Sequence, residues 1–228
     1  MDVRNARALV VAIDGPSGAG KGTVSRAIAD RLHYRHVDTG AMYRAVAWLA
    51  LHRGFDLADA ERVAELATTA VFDLDGHVGI DGHDVTAAIR TPEIDRAAAV
   101  VAQHPPVRVV LVERQRQYGR EGGVVMEGRD IGSVVFPDAD VKIYLDASAE
   151  ERARRRASDT AHEAGRAAGN VEQVARALED RDRIDRTRAA SPLTVPDDAF
   201  YLDTTTLPIG DVVGRVMAAI ERHSAAAR

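Results

Sequence analysis

The amino-acid sequence predicts an α/β fold: a mostly parallel, doubly wound sheet with a small α+β insertion and an Arg-rich helical segment. Apolar runs of strand length alternate with amphipathic helical runs, which is typical of parallel strands joined by helices. With 228 residues, 46% of them hydrophobic, the chain is long enough to form one domain around a buried core. The longest unbroken apolar run, Ala45–Leu51, is far shorter than the roughly 20 residues of a membrane-spanning helix. We therefore expect no membrane partner.

The first predicted unit is a strand, a glycine-rich turn and a helix. Ala8–Ile13 is continuously apolar, as expected of a parallel strand that is covered on both faces. The helix Lys21–Leu32 follows, because apolar residues recur along one of its faces. The later core elements are, in order, a strand at Tyr34–Val37, a helix at Gly40–His52, a helix at Pro106–Tyr118, strands at Val124–Met126 and Val141–Leu145, helices at Ala149–Ala157 and Val171–Arg183, a strand at Phe200–Leu202 and a helix at Ile209–Arg222.

A different pattern occupies the stretch between the second helix and Pro92. A short helical run, Ala58–Thr68, precedes two strand-like runs, Val71–Leu74 and His77–Ile80. The turn-forming pair Asp75-Gly76 separates these runs, which predicts a β-hairpin. We expect a single domain over residues 1–228, divided into a core at 1–53 and 93–148, an insertion at 54–92, an Arg-rich region at 149–188 and a C-terminal core at 189–228.

Composition excludes several classes of function. The absence of cysteine excludes disulfides and thiol catalysis, and it is compatible with the reducing cytoplasm, where we expect the protein to reside. A net charge of −5 and an aromatic content of 4% argue against a general nucleic-acid binder. The first residues contain Asp2 and lead into an ordinary strand, so we expect no secretory leader. The 30 basic residues comprise 28 arginines and two lysines, so a single arginine carries little information unless its position is special.

The strongest local motif is the glycine-rich turn. Gly15–Lys21 matches the spacing Gly-x4-Gly-Lys between an apolar strand and an amphipathic helix. Such a loop turns backbone N–H groups toward phosphate oxygens, and the N-terminus of the helix adds favourable potential. Lys21 can extend its charge to the β- and γ-phosphates, whereas it would have no packing purpose in a turn without a ligand. The predicted phosphate-binding residues are Gly15, Pro16, Ser17, Gly18, Ala19, Gly20, Lys21, Gly22 and Thr23.

Two further polar motifs follow predicted strands. Asp38–Arg44 lies at a strand-to-helix transition, where Arg44 either reaches a second phosphate or remains a solvated helix residue. Glu127–Pro137 places an acid, an arginine and a second acid after the strand Val124–Met126. In an open α/β sheet, the carboxyl end of a strand borders the expected ligand-binding crevice. Both motifs are therefore candidates for the same site as the glycine-rich loop.

The segment Arg152–Arg188 is rich in arginine, with ten arginines against seven acidic residues. One interpretation is a solvated helical hairpin whose charges form ion pairs. The other is a mobile lid whose cations neutralise the charge of a triphosphate. The phosphate loop upstream favours the lid, because phosphoryl transfer requires cations around the developing oxygen charge.

Taken together, these motifs resemble the bacterial cytidylate kinases, which belong to the nucleoside monophosphate kinase-like group of P-loop kinases. The resemblance runs in order from Ile13 to Leu207, nearly the whole chain, and it includes the Gly-Lys-Gly-Thr ending of the loop. It implies Mg²⁺-dependent transfer of the γ-phosphate of ATP to CMP or dCMP. The matching motifs are Ile13–Thr23, Asp38–Arg44, Gly128–Asp130, Val134–Pro137, Lys142–Asp146 and Arg188–Leu193.

The resemblance also implies roles for individual residues. On the ATP side, Lys21 and the lid cations Arg152, Arg155 and Arg156 would contact the phosphates, with Arg188 near the transferring group. The implied catalytic residues are Lys21, Arg155, Arg156 and Arg188. On the acceptor side, Arg44 and Arg129 would hold the phosphate, Arg108 and Asp130 the cytosine, and Arg181 and Asp185 the sugar, with Thr39 and Arg188 nearby. The chain departs from the family at Ala99, where a base-contacting serine is frequent, so that one base contact is in doubt.

No direct metal ligand is assigned. Thr23 would help to order hydrated Mg²⁺, and Asp14 would either approach the metal through water or cap a turn. We expect ATP and CMP or dCMP as partners, no nucleic acid, and a monomer. Two alternatives remain at this stage: another small-molecule phosphoryl transferase with a different acceptor pocket, and a nucleotide-regulated RNA-binding module that uses the Arg-rich segment.

Overall fold

A parallel five-stranded sheet forms the centre of the protein, as the alternation of strands and helices predicts. The computed structural model describes residues 8–159, 161–162 and 171–226. In the sheet, the spatial order of the strands is β2-β6-β1-β7-β8, and every neighbouring pair is parallel. These strands are β1 (Val10–Asp14), β2 (Arg35–Asp38), β6 (Val124–Gly128), β7 (Val141–Asp146) and β8 (Phe200–Asp203).

Helices cover both faces of this sheet. One apolar cluster packs β1 and β7 against the first and last helices, and a second lies on the opposite face around Met126 and Ile131. A third cluster joins the second to fifth helices and does not involve the sheet. The helices are α1 (Lys21–Leu32), α2 (Thr39–His52), α3 (Ala60–Thr69), α4 (Pro92–Val101), α5 (Pro105–Gly119), α6 (Ala149–Ala157), α7 (Val171–Thr187) and α8 (Ile209–Ala226).

The predicted insertion contains a three-stranded antiparallel sheet, one strand more than the sequence predicts. Its strands are β3 (Phe72–Asp73), β4 (Gly79–Ile80) and β5 (His83–Asp84). The third strand arises because Asp81 and Gly82 both have positive φ, 48° and 79°, and turn the chain back on itself. Since β5 consists of two polar residues, the hydrophobic pattern gives no sign of it.

Two other elements are absent from the sequence prediction. Helix α4 begins after Thr91, whose hydroxyl accepts a hydrogen bond from Ile94 N–H, and Pro92 occupies the first turn. Its buried residues Ile94, Ala97, Ala98 and Val101 also have the spacing of an amphipathic helix, so the sequence carried both the start signals and the periodicity that the prediction missed. The second element is a single π-helical turn, Ile131–Val135, directly after β6. Residues 160 and 163–170 of the predicted Arg-rich region lie outside the described residues.

The strand register brings the predicted motifs to one edge of the sheet. Asp14, the last residue of β1, lies opposite Gly128 on β6 and Tyr144 on β7. Asp38, the last residue of β2, lies opposite Glu127. Because all strands run in the same direction, the loops that follow β1, β2 and β6 meet at this edge.

Gly15 is where the phosphate loop leaves the sheet, and it has no room for a side chain. Its φ is +147°, and a Cβ at this position would lie 2.0 Å from the carbonyl oxygen of Leu145. Gly54 also has a positive φ, +69°, but no atom lies within 4 Å of its Cβ position. Replacement of Gly15 therefore introduces both a positive φ and a backbone clash, whereas replacement of Gly54 introduces the positive φ alone.

We expect Gly15→Ala to destabilise the protein by about 3 kcal/mol, because β1 and β7 must move apart at the clash. Gly54→Ala is the control, and only its conformational cost of about 1 kcal/mol should appear. Urea unfolding measures both values. Equal losses in the two variants would show that the approach of Gly15 to Leu145 does not constrain the loop.

Candidate active site

A cavity of about 750 Å³ opens at the carboxyl edge of the sheet. Residues 17–23 of the phosphate loop line one end, and arginines and acids from four helices line the other. The structure therefore brings most of the predicted site residues together. The predicted residues in the lining are Ser17, Gly18, Ala19, Gly20, Lys21, Gly22, Thr23, Thr39, Arg44, Arg108, Arg129, Asp130, Arg155, Arg156, Arg181, Asp185 and Arg188.

Lys21 begins α1 and points back across the phosphate loop. Its Nζ donates a hydrogen bond of 2.8 Å to the carbonyl oxygen of Pro16, and the residue is only 7% exposed. Burial and the charge of Arg129 lower the pKa of Lys21 to about 7. An anionic phosphate in the cavity would supply the missing counter-charge, so this lysine is suited to bind one.

Arg152 lies beside the cavity and not in its lining. Its Nη1 donates to the carbonyl oxygen of Ser17 at 3.0 Å and forms a buried ion pair with Asp182 of α7. Asp182 also accepts a hydrogen bond of 3.1 Å from the backbone N–H of Ser17. In this arrangement Arg152 holds the phosphate loop against α6 and α7, which differs from the ATP contact that the resemblance implies.

The next two lid cations do line the cavity. Arg155 donates to the hydroxyl and the carbonyl oxygen of Thr204, at 2.9 and 2.6 Å. Arg156 is 3.4 Å from the hydroxyl of Ser17. Both guanidinium groups thus lie close to the phosphate loop, where a triphosphate would meet them. The mobility that the lid interpretation predicts for this segment stays a prediction.

The far end of the cavity contains a buried pair of complementary groups. Arg108 of α5 forms an ion pair with Asp130, and both side chains are less than 10% exposed. Arg188 lies 3.5 Å from the other oxygen of Asp130. The guanidinium of Arg108 also lies 5.5 Å from the ring centroid of Tyr43, and burial raises the pKa of that tyrosine to about 12.

A second set of pairs surrounds the middle of the cavity. Arg129 donates to Asp185 of α7 at 2.9 Å, and Arg44 donates to Asp38 at the same distance. Burial alone would raise the pKa of Asp185, but the charges of Arg129, Arg181 and Arg188 hold it below its ordinary value. The charges of these arginines are therefore shielded from water, but neighbouring carboxylates balance them.

Glu127 is a cavity residue to which the sequence analysis assigned no role. Its Oε1 is 3.0 Å from the hydroxyl of Ser25 and 3.0 Å from Nε2 of His36. A Cβ added to Gly22 would lie 3.3 Å from the same oxygen, so the carboxylate rests against the start of α1. Its position near the carboxyl end of β6, in the acid-arginine-acid motif, is the signal that could have assigned it.

Asp14 adopts the capping role and not a place in the cavity lining. Its two carboxylate oxygens accept hydrogen bonds from the backbone N–H groups of Ile131 and Gly132, at 2.8 and 2.7 Å. Burial raises the pKa of Asp14 to about 6. The carboxylate thereby fixes the π-helical turn next to Asp130. This position supports the turn-capping alternative over a contact with hydrated metal.

The structure also places Ala99, the position at which the chain departs from the family's frequent base-contacting serine. Ala99 is buried on α4 and is not among the described cavity residues, whereas Ala102, one turn later, is.

Among the described residues, no cluster of three or more His, Cys, Asp or Glu side chains could hold a metal ion. Nor is any described helix long and apolar enough to cross a membrane.

Comparison with known proteins assigns the chain to a family. The family model for cytidylate kinase matches residues 11–222, which include every motif of the cavity. The chain belongs to the cytidylate kinase family. The cytidylate kinase of Limosilactobacillus fermentum is 49% identical over 220 residues, which are 95% of this chain and 97% of that protein. The cytidylate kinase of Bacillus subtilis is 44% identical over 221 residues, or 95% and 98% of the two chains.

A solved structure supports the fold. A gluconokinase from Sinorhizobium meliloti superposes with a TM-score of 0.50 and 16% identity, covering 97% of this chain and 95% of its own. At this identity the likeness concerns the fold alone. The predicted α/β fold and the predicted cytidylate kinase family are thus both confirmed.

Lys21 and Lys142 are the two lysines of the chain, and they provide a matched test. We expect Lys21→Met to lower kcat/KM for ATP by roughly 100-fold or more, about 3 kcal/mol of transition-state stabilisation. Stability should not fall, because the change removes a buried charge and keeps the apolar stem. Lys142→Met is the control, since Lys142 pairs with Asp198 outside the cavity lining.

The pH dependence gives this test a second readout. Since the pKa of Lys21 is lowered to about 7, the lysine loses its proton as the pH rises through this value. We expect kcat/KM of the unaltered protein to decline on the alkaline side, and Lys21→Met to lack that decline. Near-native turnover by a well-folded Lys21→Met protein would contradict the assigned role.

Arg152 and Asp182 should show the opposite behaviour, with a large loss of stability. Removing either partner leaves the other buried and unpaired, so Arg152→Ala or Asp182→Ala should cost roughly 3–5 kcal/mol. Arg183→Ala on the same helix is the control, because its pair with Asp180 is exposed and should contribute less than about 0.5 kcal/mol. Urea unfolding measures the stability of all three variants. If Asp182→Ala lost no more stability than the control, the proposed role of the Arg152–Asp182 pair in holding the phosphate loop would be contradicted.

Proposed function

We propose that the protein transfers the γ-phosphate of ATP to CMP or dCMP and forms ADP and the corresponding diphosphate. The observation that carries this proposal is the single cavity that joins a phosphate loop to a buried Arg108–Asp130 pair. The names of the relatives support it, since the two described above are cytidylate kinases.

The buried pair suits cytosine. The base presents a carbonyl oxygen and a ring nitrogen as acceptors next to an exocyclic amine as donor. Arg108 offers N–H donors and Asp130 offers carboxylate acceptors, so that together they match this edge. Arg108 Nε is buried without a hydrogen-bond partner among the described residues, which leaves a donor available to a ligand. A purine would present a larger ring and a different edge.

The phosphates fall between the two ends of the cavity. Arg44 and Arg129 would hold the acceptor phosphate, while Lys21, Arg155 and Arg156 would hold those of ATP. Their charges orient two anions that otherwise repel each other, and they stabilise the charge that spreads over the transferring group. An oxygen of the acceptor phosphate attacks in line, so the reaction requires no nucleophilic side chain. Closure of the Arg-rich lid over the bound substrates would keep water from competing with the acceptor.

Mg²⁺ is part of the proposal, and the residues fit it. Magnesium prefers oxygen ligands and usually keeps several waters, with one or two carboxylates and substrate phosphates. Thr23 supplies an exposed hydroxyl on the first turn of α1, and Glu127 supplies a carboxylate beside Gly22. These two side chains would hold the hydrated ion. When bound, the ion supplies positive charge to the phosphates of ATP.

The same proposal places the enzyme in the cytoplasm and in pyrimidine nucleotide metabolism, acting as a monomer. The absence of cysteine supports a reducing compartment.

The acceptor assignment is tested by adding CMP, dCMP, UMP and AMP separately and measuring ADP release. We expect CMP and dCMP to be used at least about 100-fold better than AMP, because a purine leaves the buried pair unmatched. Asp130→Ala should weaken this preference more than it changes KM for ATP. Asp138→Ala, in the exposed turn before β7, is the control. If AMP proved the best acceptor, the kinase proposal would survive and the cytosine assignment would fail.

A further inference from the structure

We propose that Asp95, in the first turn of α4, is a positioning residue of the acceptor site. It holds Arg181 of α7 in the cavity and links it to His162, in the segment after α6. The inference rests on the proposed acceptor function and adds a residue to it. No motif of the sequence includes Asp95, because α4 is itself absent from the sequence prediction.

The contacts of Arg181 depend on Asp95. Arg181 Nη1 donates a hydrogen bond of 2.9 Å to the backbone carbonyl oxygen of Asp95 and lies 3.5 Å from its Oδ1. On the other side, Arg181 Nε is 3.9 Å from Oδ2 of Asp185, which is too long for a hydrogen bond. Arg181 Nε has no hydrogen-bond partner among the described residues. The orientation of this guanidinium therefore comes mainly from α4.

The second oxygen of the carboxylate points to another part of the chain. Asp95 Oδ2 is 2.9 Å from Nε2 of His162, a residue that is only 3% exposed. One carboxylate thus touches a cation of α7 and an imidazole after α6. Asp95, His162 and Arg181 all line the cavity. Their contacts therefore connect the acceptor end of the cavity to the Arg-rich region.

Electrostatics keep this carboxylate ionised. Burial alone would raise the pKa of Asp95, but the hydrogen bond from His162 and the charges of Arg181, Arg156 and Arg44 hold it well below its ordinary value. The N-terminal end of α4 favours a negative charge in its first turn as well. Asp95 thus supplies a fixed negative charge among cations that come from α2, α6 and α7.

A fixed carboxylate at this position has a definite consequence for the acceptor. Arg181 carries a charge that is desolvated, and burial lowers its pKa. Without the Asp95 carboxylate, the guanidinium would have no charged partner closer than Asp185, and the backbone carbonyl oxygen of residue 95 alone would hold it less firmly. Ordering this guanidinium on binding would then reduce the net binding free energy of the acceptor. Loss of the carboxylate should therefore weaken acceptor binding and leave the ATP end of the cavity unchanged.

The test measures steady-state kinetics with CMP varied at saturating ATP, and the reverse, for matched variants. Asp95→Asn removes the charge and keeps the shape and the backbone contact. Asp95→Glu restores the charge. Glu93→Gln, which removes an exposed charge from the same helical turn, is the control. His162→Gln, alone and combined with Asp95→Asn, tests the second contact. Thermal unfolding verifies that each variant is folded.

We expect Asp95→Asn to raise KM for CMP roughly 10-fold, with kcat and KM for ATP changed less than about twofold. Asp95→Glu should recover part of the loss, and Glu93→Gln should match the unaltered protein. His162→Gln should act in the same direction, and the double variant should be less impaired than the product of the single effects, because both act through one contact.

Two results would overturn the proposal. Asp95→Asn with the KM of the Glu93→Gln control would show that the carboxylate positions nothing. A lower KM for CMP in Asp95→Asn would show that Asp95 competes with the acceptor for its cations. The unaltered protein is measured in the same series, so a failure of the proposed function appears there as absent CMP turnover, distinct from either result.

Discussion

The structure depends on one electrostatic constraint: a cavity built to hold two phosphate-bearing molecules must keep many cations close together without them. Buried charges are tolerated only when they are paired and hydrogen-bonded. The chain meets this requirement with acidic residues on the same or on neighbouring elements. The pairs are Arg44–Asp38, Arg108–Asp130, Arg129–Asp185, Arg152–Asp182, Arg155–Glu151 and Arg181–Asp95. Each carboxylate balances the charge of its arginine and also orients the guanidinium group.

Lys21 is treated differently from the arginines, and the contrast is informative. Its hydrogen bond goes to the carbonyl oxygen of Pro16 and not to a carboxylate, and its pKa is lowered to about 7. A lysine is a compact charge that loses its proton readily when desolvated, whereas a guanidinium keeps its proton. A phosphate bound in the cavity would therefore stabilise the charged form of Lys21 more than that of an arginine already paired with a carboxylate.

The sequence could predict whichever part of the site is encoded locally. The phosphate loop follows from the spacing of Gly15, Gly20 and Lys21 between a strand and a helix, and the parallel sheet follows from its apolar runs. Asp130 belongs to the local acid-arginine-acid motif, but Arg108 and its pairing with Asp130 enter only through resemblance to a family. Asp95 and Asp182 were missed because their partners are 86 and 165 residues away in the chain. Such pairs exist only after the helices have packed, and no periodicity records them.

Helix α7 connects several of these pairs, because neighbouring residues of this one helix take part in them. Asp182 accepts a hydrogen bond from Ser17 in the phosphate loop, and its neighbour Arg181 contacts Asp95 on the acceptor side. One turn later, Asp185 pairs with Arg129. Adjacent residues of a helix keep a fixed separation, because the backbone hydrogen bonds set the rise and the turn. Helix α7 is therefore a rigid connection between the phosphate loop and the acceptor end of the cavity. In the proposed reaction, α7 would thus help to hold the two substrates in a fixed relative orientation, which favours transfer between two bound anions.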